Sequence, residues 1–201
     1  MKFKCVISSW KEINALTRKL VKKIKESDYK PEYLVSIARS GTILGRMLAY
    51  QMSIKNFVSI KPTQWGVPMK RNTRSFITDT YKVDLKNKKI LLVDDIADTG
   101  ESFIRCIEFL KNMKEPLDIK TASLLNIKGT NFKTDFFAEE RDWQWIIFPW
   151  NYDEDMANLI GKIINGEKMS AEEIKNELRE KFDLEFKMEE IKEMLKKYNF
   201  V

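Results

Sequence analysis

Ile90–Ser102 reads ILLVDDIADTGES. With Lys89 before it, Ile90-Leu-Leu-Val93 is an unbroken aliphatic run, the pattern of a strand buried on both faces of a parallel sheet. Asp94 and Asp95 close this strand, and Asp98-Thr99-Gly100-Glu101-Ser102 turns into a helix carrying Phe103, Ile107 and Leu110 at helical spacing. Open α/β sheets bind ligands at the carboxyl ends of their strands. Two adjacent carboxylates at such a mouth can hold vicinal hydroxyls or a hydrated magnesium ion. The turn after them offers backbone amides and a helix N-terminus to an anion, with Gly100 allowing close approach and Thr99 and Ser102 adding hydroxyl donors. A plain Asp N-cap accounts for one acid and the Thr-Gly pair. It does not account for three aspartates, two hydroxyls and a glycine so close together. The stretch has neither the G-x-x-x-x-G-K of a Walker loop nor the three glycines of a dinucleotide fingerprint.

Working outward, Ser9-Trp-Lys-Glu12 reads as a capping box ahead of Ile13, Leu16, Leu20, Val21 and Ile24, a helix that ends by Asp28 and Pro31. Tyr33–Ile37 is a short strand followed by Ala38-Arg39-Ser40-Gly41, a second helix spans about 42–51, and Phe57–Ile60 is a further strand. Residues 61–84 are polar and carry Pro62, Gly66 and Pro68, so they read as a long loop, with Lys61, Lys70, Arg71 and Arg74 as its cations. Strands are predicted at Thr121–Ile127, near Asp135–Ala138 and at Gln144–Phe148. The alternation of strand, loop and helix predicts an α/β fold with a central parallel sheet. After Pro149-Trp150 only helical patterns follow, over about 153–165, 170–181 and 188–198, the second opened by the capping box Ser170-Ala-Glu-Glu173.

The chain of 201 residues has no histidine. That excludes Ser-His and Cys-His nucleophile pairs and the usual zinc sites. Chemistry must then rest on carboxylates, lysines, backbone amides or an oxygen-bound cation such as magnesium. Cys5 and Cys106 make neither a disulfide framework nor a metal knuckle. No apolar run approaches the length of a membrane span, and the start MKFKCVISSW has no secretory pattern, which points to the cytoplasm. The net charge of +6 is unevenly spread. Residues 151–201 hold 9 Lys+Arg against 13 Asp+Glu, while residues 1–150 hold 27 against 17. An anionic ligand therefore belongs with the first part of the chain, and the acidic tail argues against nucleic acid.

ILLVDDIADTGES resembles the 5-phosphoribosyl-1-diphosphate (PRPP) signature of type I phosphoribosyltransferases, and the element order of residues 1 to about 150 resembles that fold. The resemblance implies a phosphoribosyltransferase domain over 1–150, with a small hood partly from 1–8 and 120–150, and a helical extension over 151–201. It implies that Asp94 and Asp95 bind the ribose hydroxyls and influence a magnesium ion, and that Ala97, Asp98, Thr99, Gly100, Glu101 and Ser102 wrap the 5-phosphate. The acid before Thr-Gly is similar to that of the 6-oxopurine members. Asp98 would there act as general acid or base at the purine, a role sound on its own chemical terms because removing a ring proton improves the nitrogen nucleophile. Ala38, Arg39, Ser40 and Gly41 resemble the family's diphosphate loop, which implies a cis peptide bond at Ala38–Arg39.

The same resemblance implies a purine site in which Lys128 meets the exocyclic oxygen, Trp145 stacks on the ring and the Ile146 backbone reads the base edge. It also implies that loop 61–84 closes over PRPP, excluding water from the reactive centre. The serine-tyrosine pair of that loop in hypoxanthine-guanine enzymes is absent here. Glu101 and Ser102 also depart from the commoner residues, and Glu101 adds negative charge beside a phosphate site. The expected function is a cytoplasmic purine salvage transferase, using magnesium, PRPP and a 6-oxopurine, and forming a homodimer or homotetramer. A regulatory protein of the same fold that senses PRPP without catalysis is the alternative. Ile174, Leu178, Phe182, Ile191 and Leu195 of the tail would cap the domain or form an oligomer interface.

Overall fold

The computed structural model describes residues 2–63, 76–77 and 83–200. In chain order the elements are β1 (Cys5–Ile7), α1 (Trp10–Glu26), β2 (Tyr33–Ile37), α2 (Gly41–Gln51), β3 (Asn56–Ile60), β4 (Pro62–Thr63), β5 (Phe76–Ile77), β6 (Lys89–Ala97), α3 (Glu101–Lys114), β7 (Asp118–Ile127), β8 (Phe136–Arg141), β9 (Trp145–Ile147), α4 (Tyr152–Ile164), α5 (Ala171–Phe182) and α6 (Met188–Lys197). β3, β2, β6, β7 and β8 form, in that order, a five-stranded sheet whose every pairing is parallel. Its middle strand is the aliphatic run: Ile90, Leu91, Leu92 and Val93 have no exposed surface. On one face Ile90 and Leu92 meet Phe103, Cys106 and Leu110 of α3 in a core shared with Val35, Ile37 and Ile60.

Two details differ from the sequence expectation. β6 does not stop before the acids. It continues through Asp94 and Asp95 to Ala97, because β7 is long enough to pair Asp94 with Ser123, Ile96 with Leu125 and Ala97 with Asn126. Within the stretch read as a loop, β4 and β5 form a short antiparallel ladder pairing Pro62 with Ile77 and Thr63 with Phe76. Lys70, Arg71 and Arg74 lie outside the described residues, while Lys61 is exposed.

The chain forms two compact units. One comprises Ile13–Trp143 and contains the five-stranded sheet. The other comprises Met1–Glu12 with Gln144–Val201. In the second, β1 pairs parallel with β9, and Cys5 and Ile147 share a core with Met156, Leu159 and Ile160 of α4 and with Ile174, Leu178, Phe182, Ile191 and Leu195. These last five are buried within the unit, so their apolar faces are spent inside the chain rather than offered to another copy. The Ser170 box forms in both directions: Ser170 Oγ accepts from the Glu173 N–H at 3.3 Å, and the Glu173 carboxylate accepts from the Ser170 N–H at 2.7 Å. At α1, Ser9 Oγ accepts from the Glu12 N–H at 3.2 Å while Ser8 Oγ donates to the Glu12 carboxylate at 2.7 Å. Among the described residues no helix is long and apolar enough to cross a membrane.

Candidate active site

The loop after β2 meets β6 at Asp94, where Gly41 opens α2. The N–H groups of Gly41 and Asp95 both donate to the Asp94 carboxylate, that of Asp95 at 2.9 Å. Only glycine fits opposite: a Cβ on Gly41 would lie 2.7 Å from Asp94 Oδ1 and 2.8 Å from the Val93 carbonyl oxygen. Asp95 is buried beside it, 4% exposed. Burial and the neighbouring Asp95 charge push the Asp94 carboxyl well above the ordinary carboxylate range, against the pull of the two backbone donors. The pair is thus poised to share a proton until a hydroxyl-bearing or cationic ligand stabilises both charges.

Beyond Ala97 the chain turns at Gly100, whose φ of +78° is left-handed, into the N-terminus of α3. A Cβ there would meet the Phe132 side chain at 2.2 Å, so the ring of Phe132 lies directly behind the turn. Phe132 in turn stacks on Phe103 of α3 with centroids 5.3 Å apart. Thr99 Oγ1 accepts from the Glu101 N–H at 3.3 Å. Asp98, Thr99, Glu101 and Ser102 are exposed at this turn. Glu101, which adds charge near the loop, is ion-paired to Arg105 one turn along α3.

On the other loop the Ala38–Arg39 peptide bond is cis. The Ala38 N–H donates to Ile60 O at 2.8 Å, and Arg39 O and Ser40 O accept from the N–H groups of Thr42 and Ile43 at 3.1 Å each, so the turn feeds directly into α2. Arg39 is exposed. Ser40 is the N-cap of α2 but makes no side-chain cap bond.

Ala38–Gly41, Asp94–Ser102 and Lys128 all belong to the unit Ile13–Trp143, whereas Trp145 and Ile146 belong to the other. Lys128 follows β7, its N–H donating to Arg141 O at 2.9 Å and its ammonium lying 3.1 Å from Asp142. Trp145, 46% exposed, is fixed by its N–H bond to Lys4 O at 2.9 Å. Its indole donates to the Asp155 carboxylate, whose pKa burial raises and this bond pulls down. The side chain of Ile146 is buried.

Residues 7–155 match the phosphoribosyl transferase domain family. The chain belongs to the phosphoribosyltransferase family. Over 132 residues it is 30% identical to a hypoxanthine-guanine phosphoribosyltransferase of Aquifex aeolicus (strain VF5), covering 64% of this chain and 72% of that protein. Among solved structures it is similar to the purine phosphoribosyltransferase of Pyrococcus horikoshii Ot3, with 29% identity, a TM-score of 0.64 and coverage of 73% of this chain and 93% of that one. The xanthine-guanine-hypoxanthine phosphoribosyltransferase of Helicobacter pylori shares the fold at 24% identity and a TM-score of 0.64, covering 77% of this chain and 98% of its own.

Within this phosphoribosyltransferase, two contacts beside the candidate residues escaped the sequence reading. Phe132 lies 32 residues from the glycine it backs, in a connection with no periodic signal. Asp155 reads as one of three acids opening a tail helix, and nothing local marks it as the acceptor of an indole N–H.

Proposed function

We propose that this protein transfers the 5-phosphoribosyl group of PRPP to a 6-oxopurine, giving the nucleoside monophosphate and diphosphate, as a purine salvage enzyme. The observation that carries this reading is the Gly41–Asp94 contact, because it joins two anion-binding loops around one acid pair. The family membership supports PRPP as the donor. The hypoxanthine-guanine relative and the purine-enzyme neighbour support the acceptor class. The matched region motivates a domain over residues 1–150, followed by a helical extension whose core includes β1 and β9.

In this reading Asp94 and Asp95 accept the ribose hydroxyls. The amides from Ala97 to Ser102 and the α3 N-terminus bind the 5-phosphate, with Thr99 and Ser102 adding hydroxyls. Arg39 and the amides from Ala38 to Gly41 hold the diphosphate. Two carboxylates fit magnesium as a partial donor set. Asp94 and Asp95 would hold the ion through their carboxylates, as part of a set completed by other oxygen donors. The ion, when bound, neutralises the departing diphosphate. As the bond from the anomeric carbon to diphosphate oxygen breaks and the bond to the purine nitrogen forms, Asp98 takes the proton released by the imidazole ring of the base. The roles of Lys128, Trp145 and Ile146 toward the base rest on the family resemblance.

The test is a spectrophotometric assay with PRPP and magnesium, offering hypoxanthine, guanine, xanthine and adenine separately. The 6-oxopurines are turned over and adenine is not. Asp98→Asn loses about 10²–10⁴-fold in kcat. Absence of turnover with every base while PRPP still binds would replace the transferase by a PRPP-binding regulator.

A further inference from the structure

The connection from β7 to β8 spans only the eight residues between Ile127 and Phe136 and contains no helix, although parallel strands are usually joined by a longer crossover. It is pinned from beneath by a buried polar cluster. Ser123 Oγ donates to Asn126 Oδ1 at 2.8 Å, and Thr134 Oγ1 donates to the same atom at 2.9 Å. The two hydroxyls lie 3.0 Å apart, and Thr134 Oγ1 is also 3.0 Å from Phe136 O. Asn126, Ser123 and Thr134 are 1%, 0% and 2% exposed.

This cluster is costly in place. Thr134 has one proton for two acceptors, and Asn126 Nδ2 is buried without an acceptor among the described residues. Turning the amide over keeps both hydroxyl contacts, with Nδ2 then donating to them and Oδ1 becoming the buried atom without a partner, so one head atom is unpaired in either orientation. An apolar side chain would fill the position without leaving a buried donor unpaired. A polar residue here therefore serves placement more than stability.

What it places is visible two residues before Thr134. Phe132 packs against Gly100 and stacks on Phe103. Asn126 itself is in register with Ala97, the first residue of the same turn. The cluster thus adjoins the turn at two points, by strand register at Ala97 and by the short run of chain from Thr134 to Phe132 behind Gly100.

We propose that Asn126 is a positioning residue for PRPP: held by Ser123 and Thr134, it sets the 128–135 connection so that Phe132 fixes the turn whose amides bind the 5-phosphate. This rests on the reading of Ala97–Ser102 as the phosphate site. The ring of Phe132 bears on the turn at Gly100, so the largest effect falls on PRPP affinity, with smaller effects through Asp98 in the same turn and Lys128 in the same connection.

The experiment is steady-state kinetics and PRPP calorimetry with magnesium on the full-length wild type, Asn126→Leu, Thr134→Val and Thr134→Ser. Asn126→Leu and Thr134→Val raise the KM for PRPP about tenfold, while kcat at saturating PRPP, where Asp98 of the same turn acts, and the KM for the purine, where Lys128 of the same connection acts, change several-fold less. Thr134→Ser, which restores the hydroxyl, returns the KM for PRPP toward wild type. Asn126→Leu melts no lower than wild type, an outcome that a purely structural role does not give. An unchanged KM for PRPP in both Asn126→Leu and Thr134→Val overturns the inference and leaves the phosphate site standing. Failure of the wild type to bind PRPP overturns the site and the inference together, so the two failures are distinct.

Discussion

The turns assigned to the phosphate and diphosphate and the residues assigned to the base are built in opposite ways. The turns at Ala38–Gly41 and Asp94–Ser102 are short, continuous and made of backbone amides, glycines and acids, and one contact between Gly41 and Asp94 joins them. Two of the residues assigned to the base are exposed side chains, each held by a different carboxylate, Lys128 by Asp142 and Trp145 by Asp155, and the third, Ile146, is buried and offers only its backbone. An anion with fixed geometry can be gripped by one turn whose groups are neighbours in sequence. A planar heterocycle is recognised by single side chains delivered from separate elements. Damage to a turn should therefore be severe and all-or-none, and damage to a side chain graded.

Gly100→Val is the strongest challenge to that contrast. The new side chain is asked to adopt φ near +78° and to occupy space filled by Phe132. The strain costs about 1–3 kcal/mol before the clash is counted, and turnover should fall at least about a hundredfold. Retention of a tenth of wild-type kcat/KM for PRPP would show that the turn adapts as freely as a surface side chain.

Asp94→Asn separates stability from function inside the same turn. Burial and Asp95 raise the Asp94 pKa. The folded state therefore binds this proton more tightly than the unfolded chain, and stability falls as pH rises from the ordinary carboxylate range through the raised value. Removing the charge relieves that cost, so at neutral pH the variant melts higher, by about 2–4 °C for each kcal/mol gained, while PRPP binding is lost. If the pair holds the ribose hydroxyls with magnesium as proposed, binding favours its ionised form, and PRPP affinity in the wild type weakens as pH falls through the raised pKa, approaching about tenfold per unit for one proton. A pH-independent affinity, or a variant that melts lower, would remove the shared-proton account of the pair.

This contrast also explains what could be read before the fold was seen. ILLVDDIADTGES and ARSG were legible because their chemistry is local: the aliphatic run, the acids, the glycine and the following helix all lie within a few residues of one another. The parallel sheet followed from the same alternation. The extension of β6 to Ala97 was not legible, because it depends on the length of β7 beside it. Phe132 behind Gly100, and the sharing of one core by β1, β9 and the tail helices, were hidden for the same reason. Each is a tertiary contact between segments whose own patterns are complete without it.

On the base-directed side the expected effects are smaller. Asp155→Asn keeps an acceptor for the Trp145 indole but removes its charge, and charge-assisted bonds are roughly twice as strong as neutral ones. The KM for the purine should rise roughly threefold with little change in the KM for PRPP. The same loss in Trp145→Phe, and no further loss in the double variant, would show that Asp155 acts through the indole. An equal rise in both KM values would instead tie Asp155 to the fold of its unit.

The smallest effect tests whether the tail contributes only stability. Ser170→Ala breaks the α5 capping box, removing the acceptor for the Glu173 N–H and the reciprocal hydroxyl contact. The cost is about 1 kcal/mol, so the melting temperature should drop by about 2–4 °C. The α5 residues Ile174, Leu178 and Phe182 share one core with Ile147 of β9, which lies two residues beyond Trp145. If that core merely supports β9, both KM values in Ser170→Ala stay at wild-type levels well below the melting transition. A selective rise in the purine KM at such temperatures would mean that fraying of α5 reaches Trp145 through the shared core. Trp145 would then depend on an element of its own unit that the turns assigned to the phosphate and diphosphate do without.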